Sequence, residues 1–248
     1  MSIAFESNLA TIRHYGSDQS TRTTGSFTPT AGRLLVVCVD TQNGLGQLND
    51  TTGTMAISNT HAGSWSWTIL GNSSNATYDP NGATYYGRVH LAYAIVPASP
   101  GSGTVTLTFN GGGGSVNKPR NTVIADVLEF SGVDTASPVI QSKLGRAGVA
   151  TSNTVTLDTT PITSSTVVSF VGVSYDTDHT DTTQPTGHTE ISEYDTGNPD
   201  FNHSFCSSYD QSAPSASLNY TNFPTSTYGS AIIGLELKNF NKGIPPGF

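Results

Sequence analysis

The sequence predicts an all-β protein built from two tandem antiparallel β-sandwich units packed as one body. Three observations carry this expectation. Compact runs of β-branched and aromatic residues are separated by segments rich in Gly, Pro, Asn and Ser, and no segment sustains a helical period. The segment TPTAGRLLVVCVD at residues 28–40 returns as TPITSSTVVSFVGVSYD at residues 160–176. The run LLVVCV at residues 34–39 is apolar on both faces of a strand, which requires cover on both sides.

The strands of the first half read, in order, RLLVVCVD, TMAISNT, SWSWTILG, YYGRVHLAYAIV, GTVTLTFN and NTVIADVLEFSG. In GTVTLTFN, Val105, Leu107 and Phe109 alternate with Thr104, Thr106 and Thr108, the pattern of a strand with one buried face. The separators TQNGLGQLNDTTG, GNSSNATYDPNG, PASPGSG and GGGGSVNKPR supply positive φ, fixed φ and Asx turns. The second half offers NTVTLDTT, STVVSFVGVSYD, HTEISEYD, FNHSFCSSYDQ, SASLNYT and YGSAIIGLELKN. The order of types is shared: a Thr-Pro turn with a long apolar strand, a strand holding SWTI or TEIS, an aromatic strand, a short Gly- or Ser-led strand, and a closing strand carrying a glutamate. Duplication accounts for this, with the second copy shortened in its loops. The expected boundaries are residues 1–135 and 136–248, each a jelly-roll or Ig-like sandwich of ordinary size. The link SGVDTASPVIQSKLGRAGVATSN lacks the character of a free tether and is expected to run across the surface.

Composition excludes several classes. With 248 residues the chain can bury a sizeable core. Only 11% of its residues are charged, against about 25% in an average soluble domain, so solubility rests on neutral hydroxyl groups, a surface common outside cells and on virus particles. A net charge of −8 with ten Lys and Arg, scattered singly, leaves no basic stripe for phosphates, so no nucleic acid is expected as a partner. No apolar run approaches a membrane span. The opening MSIAFESNLATIRHYG has neither the basic region nor the apolar stretch of a secretory signal, which points to assembly in a cytoplasm and release by lysis. A chain from which a signal had been removed would read the same way. Two cysteines, Cys38 and Cys206, make no disulfide scaffold, and Cys38 reads as a small buried thiol.

At GRLLVV, SWTILG, LAYAIVPASPGSGTVTLTF and VLEFSGVDTASPV the chain resembles a loosely defined set of β-sandwich proteins of tailed phages and some bacteria, which occur as virion or surface components. The resemblance covers most of the first half and, more weakly, the second. It implies a structural role and brings no active site with it.

The candidate chemistry is weighed residue by residue. Asp176, Asp178, His179 and Asp181 crowd the end of a strand, but the spacing and the Gly of a calcium loop are missing, and a solvated acidic loop is the favoured reading. His188 and His203 add no zinc spacing. Glu129 and Glu236 hold equivalent places in LEF and LEL. As a catalytic pair they would need to share one cleft at about 5–10 Å, whereas repetition favours one structural part each, accepting backbone or hydroxyl hydrogen bonds. Trp65 and Trp67, with Tyr85, Tyr86 and Tyr93, could stack on sugar rings or fill the core, and core packing is favoured. No GxSxG elbow is present, and GGGGSVNKPR leads into no helix that would cradle phosphate. No catalytic residue, cofactor or metal ion is expected.

The expectation is therefore a non-enzymatic structural protein of a tailed-phage virion, a capsid decoration or tail component. It would be assembled in the host cytoplasm and bind other virion proteins, such as a major capsid or tail protein, and its own copies. The alternatives are a carbohydrate-binding or adhesin module using Trp65, Trp67, Tyr85 and Tyr86, and an extracellular filament subunit. The C-terminal GIPPGF is the sharpest interaction candidate: Pro245 and Pro246 stiffen an extended segment and Ile244 and Phe248 give it apolar teeth.

Overall fold

The computed structural model describes residues 2–42, 54–70, 77–78, 87–110, 120–148, 150–175, 181–196, 203–212, 214–224 and 227–240. Sixteen strands and no helix run through them. In the first half these are β1 (Ala4–Gln19), β2 (Thr21–Thr23), β3 (Leu34–Gln42), β4 (Thr54–Asn59), β5 (Thr68–Leu70), β6 (Thr77–Tyr78), β7 (Gly87–Ile95), β8 (Val105–Asn110) and β9 (Arg120–Ser131). The second half contributes β10 (Val139–Ala147), β11 (Ser152–Thr156), β12 (Thr166–Tyr175), β13 (Thr189–Asp195), β14 (His203–Asp210), β15 (Ser217–Thr221) and β16 (Thr227–Leu237).

Every ladder is antiparallel, and each stays within its own half of the chain. The large sheet of the first half runs β1-β9-β3-β7-β5, with β6 also on β7, and that of the second runs β10-β16-β12-β14-β13. Their strand order is the same. The strands of the repeated Thr-Pro segment, β3 and β12, are third in each. A smaller sheet covers one face of each large sheet: β2-β8-β4 in the first unit and β11-β15 in the second.

The bare faces of the two large sheets pack on each other, giving four layers. Leu34, Val36 and Cys38 of β3, Val89 and Leu91 of β7 and Ile124 and Leu128 of β9 share one buried cluster with Val168 and Phe170 of β12, Phe205 of β14 and Ile233 and Leu235 of β16. The opposite face of β3, Leu35, Val37 and Val39, packs with Met55, Leu107 and Phe109 of the outer sheet. In the second unit Val167, Val171 and Val173 meet Leu218 and Tyr220 in the same way. The two apolar faces of LLVVCV are thus each consumed by a different layer. The layers approach so closely that a Cβ at Gly172 would lie 2.5 Å from the carboxylate carbon of Asp40, a contact only glycine permits.

One polar cluster is let into this apolar contact. The fully buried Asp126 of β9 pairs with Arg13 of β1 at 2.5 Å, and accepts hydrogen bonds from the hydroxyls of Ser192 and Ser207 in the second unit, the latter at 3.0 Å. The Arg13 guanidinium also lies over the rings of Tyr194 and Phe205, 5.1 and 5.9 Å from their centroids. Polar groups buried between apolar faces are tolerated only when they partner one another, so the cluster fixes how the two halves meet.

Four strands escaped the sequence reading, the two-residue β6 within the separator GNSSNATYDPNG among them. β1 and β2 were not expected, and β10 lies in the segment read as a surface link. β1 and β10 are edge strands whose outer faces are half exposed, and charges at Glu6, Arg13, Lys143 and Arg146 erase the apolar alternation.

Candidate functional site

Glu129 and Glu236 are both buried, at 2% and 0% exposure, and each sits opposite the second residue of the repeated apolar strand: Leu35 pairs with Glu129 and Val167 with Glu236. Each carboxylate accepts the backbone N–H of the residue after the repeated proline, from Thr30 at 2.6 Å and from Ile162 at 2.9 Å. The same turns are closed by Arg33 N–H to the Thr30 carbonyl at 3.2 Å and Ser165 N–H to that of Ile162 at 2.9 Å. The remaining oxygen takes Arg33 at 2.7 Å in the first unit and the Gln141 amide at 2.6 Å in the second. Each glutamate therefore pins a Thr-Pro turn. Both point outward, away from the central core, so two inner sheets about 10 Å apart separate them. They share no cleft.

Trp65 and Trp67 precede β5 rather than lying in it. Their rings stack at 5.7 Å and 16° and continue through His61 to Phe27, with centroid separations of 5.2 and 4.6 Å. Both indoles are half-buried against the core of the first unit. Trp65 donates Nε1–H to the Ala62 carbonyl at 3.1 Å, whereas the buried Nε1 of Trp67 meets no acceptor among the described residues. Burial holds His61 below its ordinary pKa, which keeps the ring neutral beneath the indoles. Tyr85 and Tyr86 lie outside the described residues. So do Asp176, Asp178 and His179, and the whole C-terminal segment with Ile244, Pro245, Pro246 and Phe248. Among the described residues no group of three or more His, Cys, Asp and Glu is placed to hold a metal ion.

Cys38 and Cys206 are buried free thiols. Cys38 faces the central core and Cys206 the outer core of the second unit, so β14 and its sheet lie between them. Burial raises the pKa of both thiols, which keeps them protonated.

The second unit holds a site that residue-by-residue reading missed. Thr186, Gly187, Asp210, Ser212, Ser217 and Asn219 line an open groove of about 470 Å³ beside β15. Next to it, the Tyr220 hydroxyl lies 2.9 Å from Ser169 Oγ and 2.8 Å from Ser208 Oγ, and Nδ1 of His188 lies 3.0 Å from Ser208. Desolvation pulls the pKa of His188 down to about 4, against a raising influence from Asp210. The ring is therefore neutral at pH 7. Ser208 is fully buried, so this Ser-His-Tyr cluster is a packed hydrogen-bond network beneath the groove. One signal in the sequence could have found the groove: the second half has no counterpart of TMAISN, the strand that occupies this place in the first.

No family model matches the chain, and no curated protein matches it. Among solved structures, one of Red Clover Necrotic Mosaic Virus is similar at a TM-score of 0.24 and 9% identity over 98% of each chain. A mutant of Bacillus subtilis oxalate decarboxylase is similar at 0.14 and 6% over 96% of this chain and 74% of that one. Likeness at these scores bears on neither fold nor function.

Proposed function

We propose that the chain is a non-enzymatic structural component of a tailed-phage virion, a capsid decoration or tail protein that binds a protein lattice and its own copies. The observation that carries this reading is how its buried carboxylates are used. Glu129 and Glu236 pin turns and Asp126 joins the two units; these chemistry-bearing groups are committed to a rigid scaffold whose outer strand edges are offered for contact. The same reading takes the two units as copies of one ancestral unit, major capsid or tail protein as partner, and the particle as location, reached from the host cytoplasm. The test is particle occupancy. The chain is expected in purified virions by mass spectrometry at a fixed ratio to the major capsid or tail protein, and deletion of residues 242–248 is expected to lower that ratio while leaving the isolated protein folded. Absence from purified particles would sink the proposal.

A second reading, a carbohydrate-binding or adhesin module, is favoured by one observation: the stacked indoles of Trp65 and Trp67 keep part of their faces in solvent. Glycan-array binding that disappears in Trp65→Ala with the fold intact would establish it in place of the first.

A further inference from the structure

The two outer sheets differ by one strand. In the first unit β8 is flanked on both sides, by β2 and β4. In the second, β15 is flanked by β11, and on its other side by a single antiparallel bridge between Thr183 and Thr221, closed by hydrogen bonds of 2.9 and 3.0 Å. Backbone groups alternate in direction along an antiparallel strand. Those of Asn219 and Ser217 therefore point the same way as Thr221, into the groove, while Leu218 and Tyr220 turn to β11. The Ser217 N–H is satisfied locally by Ser215 Oγ at 3.1 Å. The groove is the place that β4 fills in the first unit.

Edge strands ordinarily carry charge, proline or bulges against unwanted pairing. β1 has Glu6, Arg13 and three register shifts, β10 has Lys143, Arg146 and one shift, and β13 has Glu190, Glu193 and one shift. The strand SLNYT of β15 has none of these, and neither has TMAISN of β4, whose ladder to β8 is unbroken over its whole length. β11 is uncharged too; the groove lies beside β15. Since Thr60 donates to Thr104 on the inner side, Met55, Ile57 and Asn59 turn their backbone groups outward along β4.

We propose that the open edge of β15 is a strand-addition site and that its occupant is β4 of a second copy of this chain. The pairing would join β2-β8-β4 of one copy to β15-β11 of the next in a continuous outer sheet. It uses two different patches, so it is heterologous and propagates into a ring or a filament. This rests on the reading of the chain as one that assembles with its own copies, and it names the contact.

The test is sedimentation velocity of the full chain over a wide range of concentration. Concentration-dependent association is expected. Asn219→Pro removes an N–H that the β11 ladder does not use, and Ser217→Lys places a charge at the groove; Ser58→Lys places one on exposed β4. Each is expected to weaken association at least about tenfold, the loss of one or two edge hydrogen bonds, with melting unchanged in the two lysine variants and lowered in Asn219→Pro, which also gives up the bond from Thr154 to Asn219 Oδ1. If Asn219→Pro fails to fold, the two lysine variants carry the test. Association that survives the β15 substitutions overturns the edge assignment and leaves the assembly reading standing. Weakening by the β15 variants but not by Ser58→Lys overturns β4 as the occupant. A chain that stays monomeric throughout overturns the contact, and virion occupancy then decides the assembly reading separately.

Discussion

The first unit closes its outer layer with three strands; the second stops at two and sets a cluster of hydroxyls and a histidine beside the place where the third would lie. In the first, Met55 of β4 is buried with Leu107, Phe109 and Val37. In the second, Ser169, Ser208, Tyr220 and His188 hydrogen-bond to one another beneath an open groove. The inner sheets keep the same order of five strands, with the two-residue β6 the one addition in the first, because each is the other's cover and a larger change in either would open the common core. The outer layers face solvent or a partner on one side, so they are free to differ. The place where two otherwise matching units diverge is therefore the place to look for function.

The largest expected effect tests the part the units share. Phe170 is fully buried in the central cluster, and Phe170→Ala should cost about 3–5 kcal/mol through lost burial and the cavity left behind. Denaturant unfolding should still show one transition, because both halves lose the same core. Two separated transitions would mean that the units unfold independently and that the comparison of inner and outer layers is misplaced.

The polar cluster of the second unit predicts a pH response centred on His188, in the same direction as the one that the lowered pKa of His61 gives the first unit. Burial lowers the His188 pKa to about 4, below the value of about 6.5 for an unfolded histidine. Between those values the unfolded chain binds more protons than the folded one. The contribution of His188 is thus fully present above about pH 6.5 and is lost as pH falls toward 4. It amounts to as much as about 3 kcal/mol. Glu193, whose pKa burial raises, works in the opposite direction, since its folded form holds a proton more readily. Melting temperatures at pH 7 and pH 4.5 should differ, and His188→Gln should flatten that difference. An unchanged slope in the variant would remove the histidine from the account.

A smaller effect separates the two turn anchors. Glu129 accepts from Thr30 and from the guanidinium of Arg33, while Glu236 accepts from Ile162 and a neutral amide. Replacement by Gln should cost about 2–3 kcal/mol at Glu129, where a charged donor loses its partner, and about 1–2 kcal/mol at Glu236. Equal losses in chemical denaturation would show that the Arg33 pair adds nothing. The smallest effect is at the stacked indoles. Trp67→Phe removes a buried N–H that has no acceptor among the described residues and should change stability by less than about 1 kcal/mol, whereas Trp65→Phe gives up the bond to Ala62 and should cost up to about 1 kcal/mol.

Strands whose faces are consumed by the core were legible residue by residue. β3, β8, β9, β12 and β16 announce themselves because burial on one or both faces leaves its period in the choice of side chain. β1 and β10 did not, since an edge strand half in water tolerates Arg, His and Lys and loses that period. The paired glutamates were legible as structural from repetition alone, and the turn each one pins supplies the reason. The groove beside β15 was written in what the second half omits, a signal visible only when the halves are aligned strand by strand.

By itself the sequence determined an all-β chain, two units in series, and a repeated apolar strand covered on both sides, because periodicity and turn chemistry are local properties that each segment carries wherever it packs. Only the tertiary structure decided which faces meet. That the two large sheets share a core, that Asp126 reaches Ser192 and Ser207 across it, that Glu129 and Glu236 point to opposite outer layers, and that β15, among the described residues, pairs beyond β11 only through the bridge to Thr183 all depend on contacts between residues far apart in the chain. Such contacts follow from how layers stack and which edges remain unpaired. A strand's own residues constrain that only through the total surface they must bury.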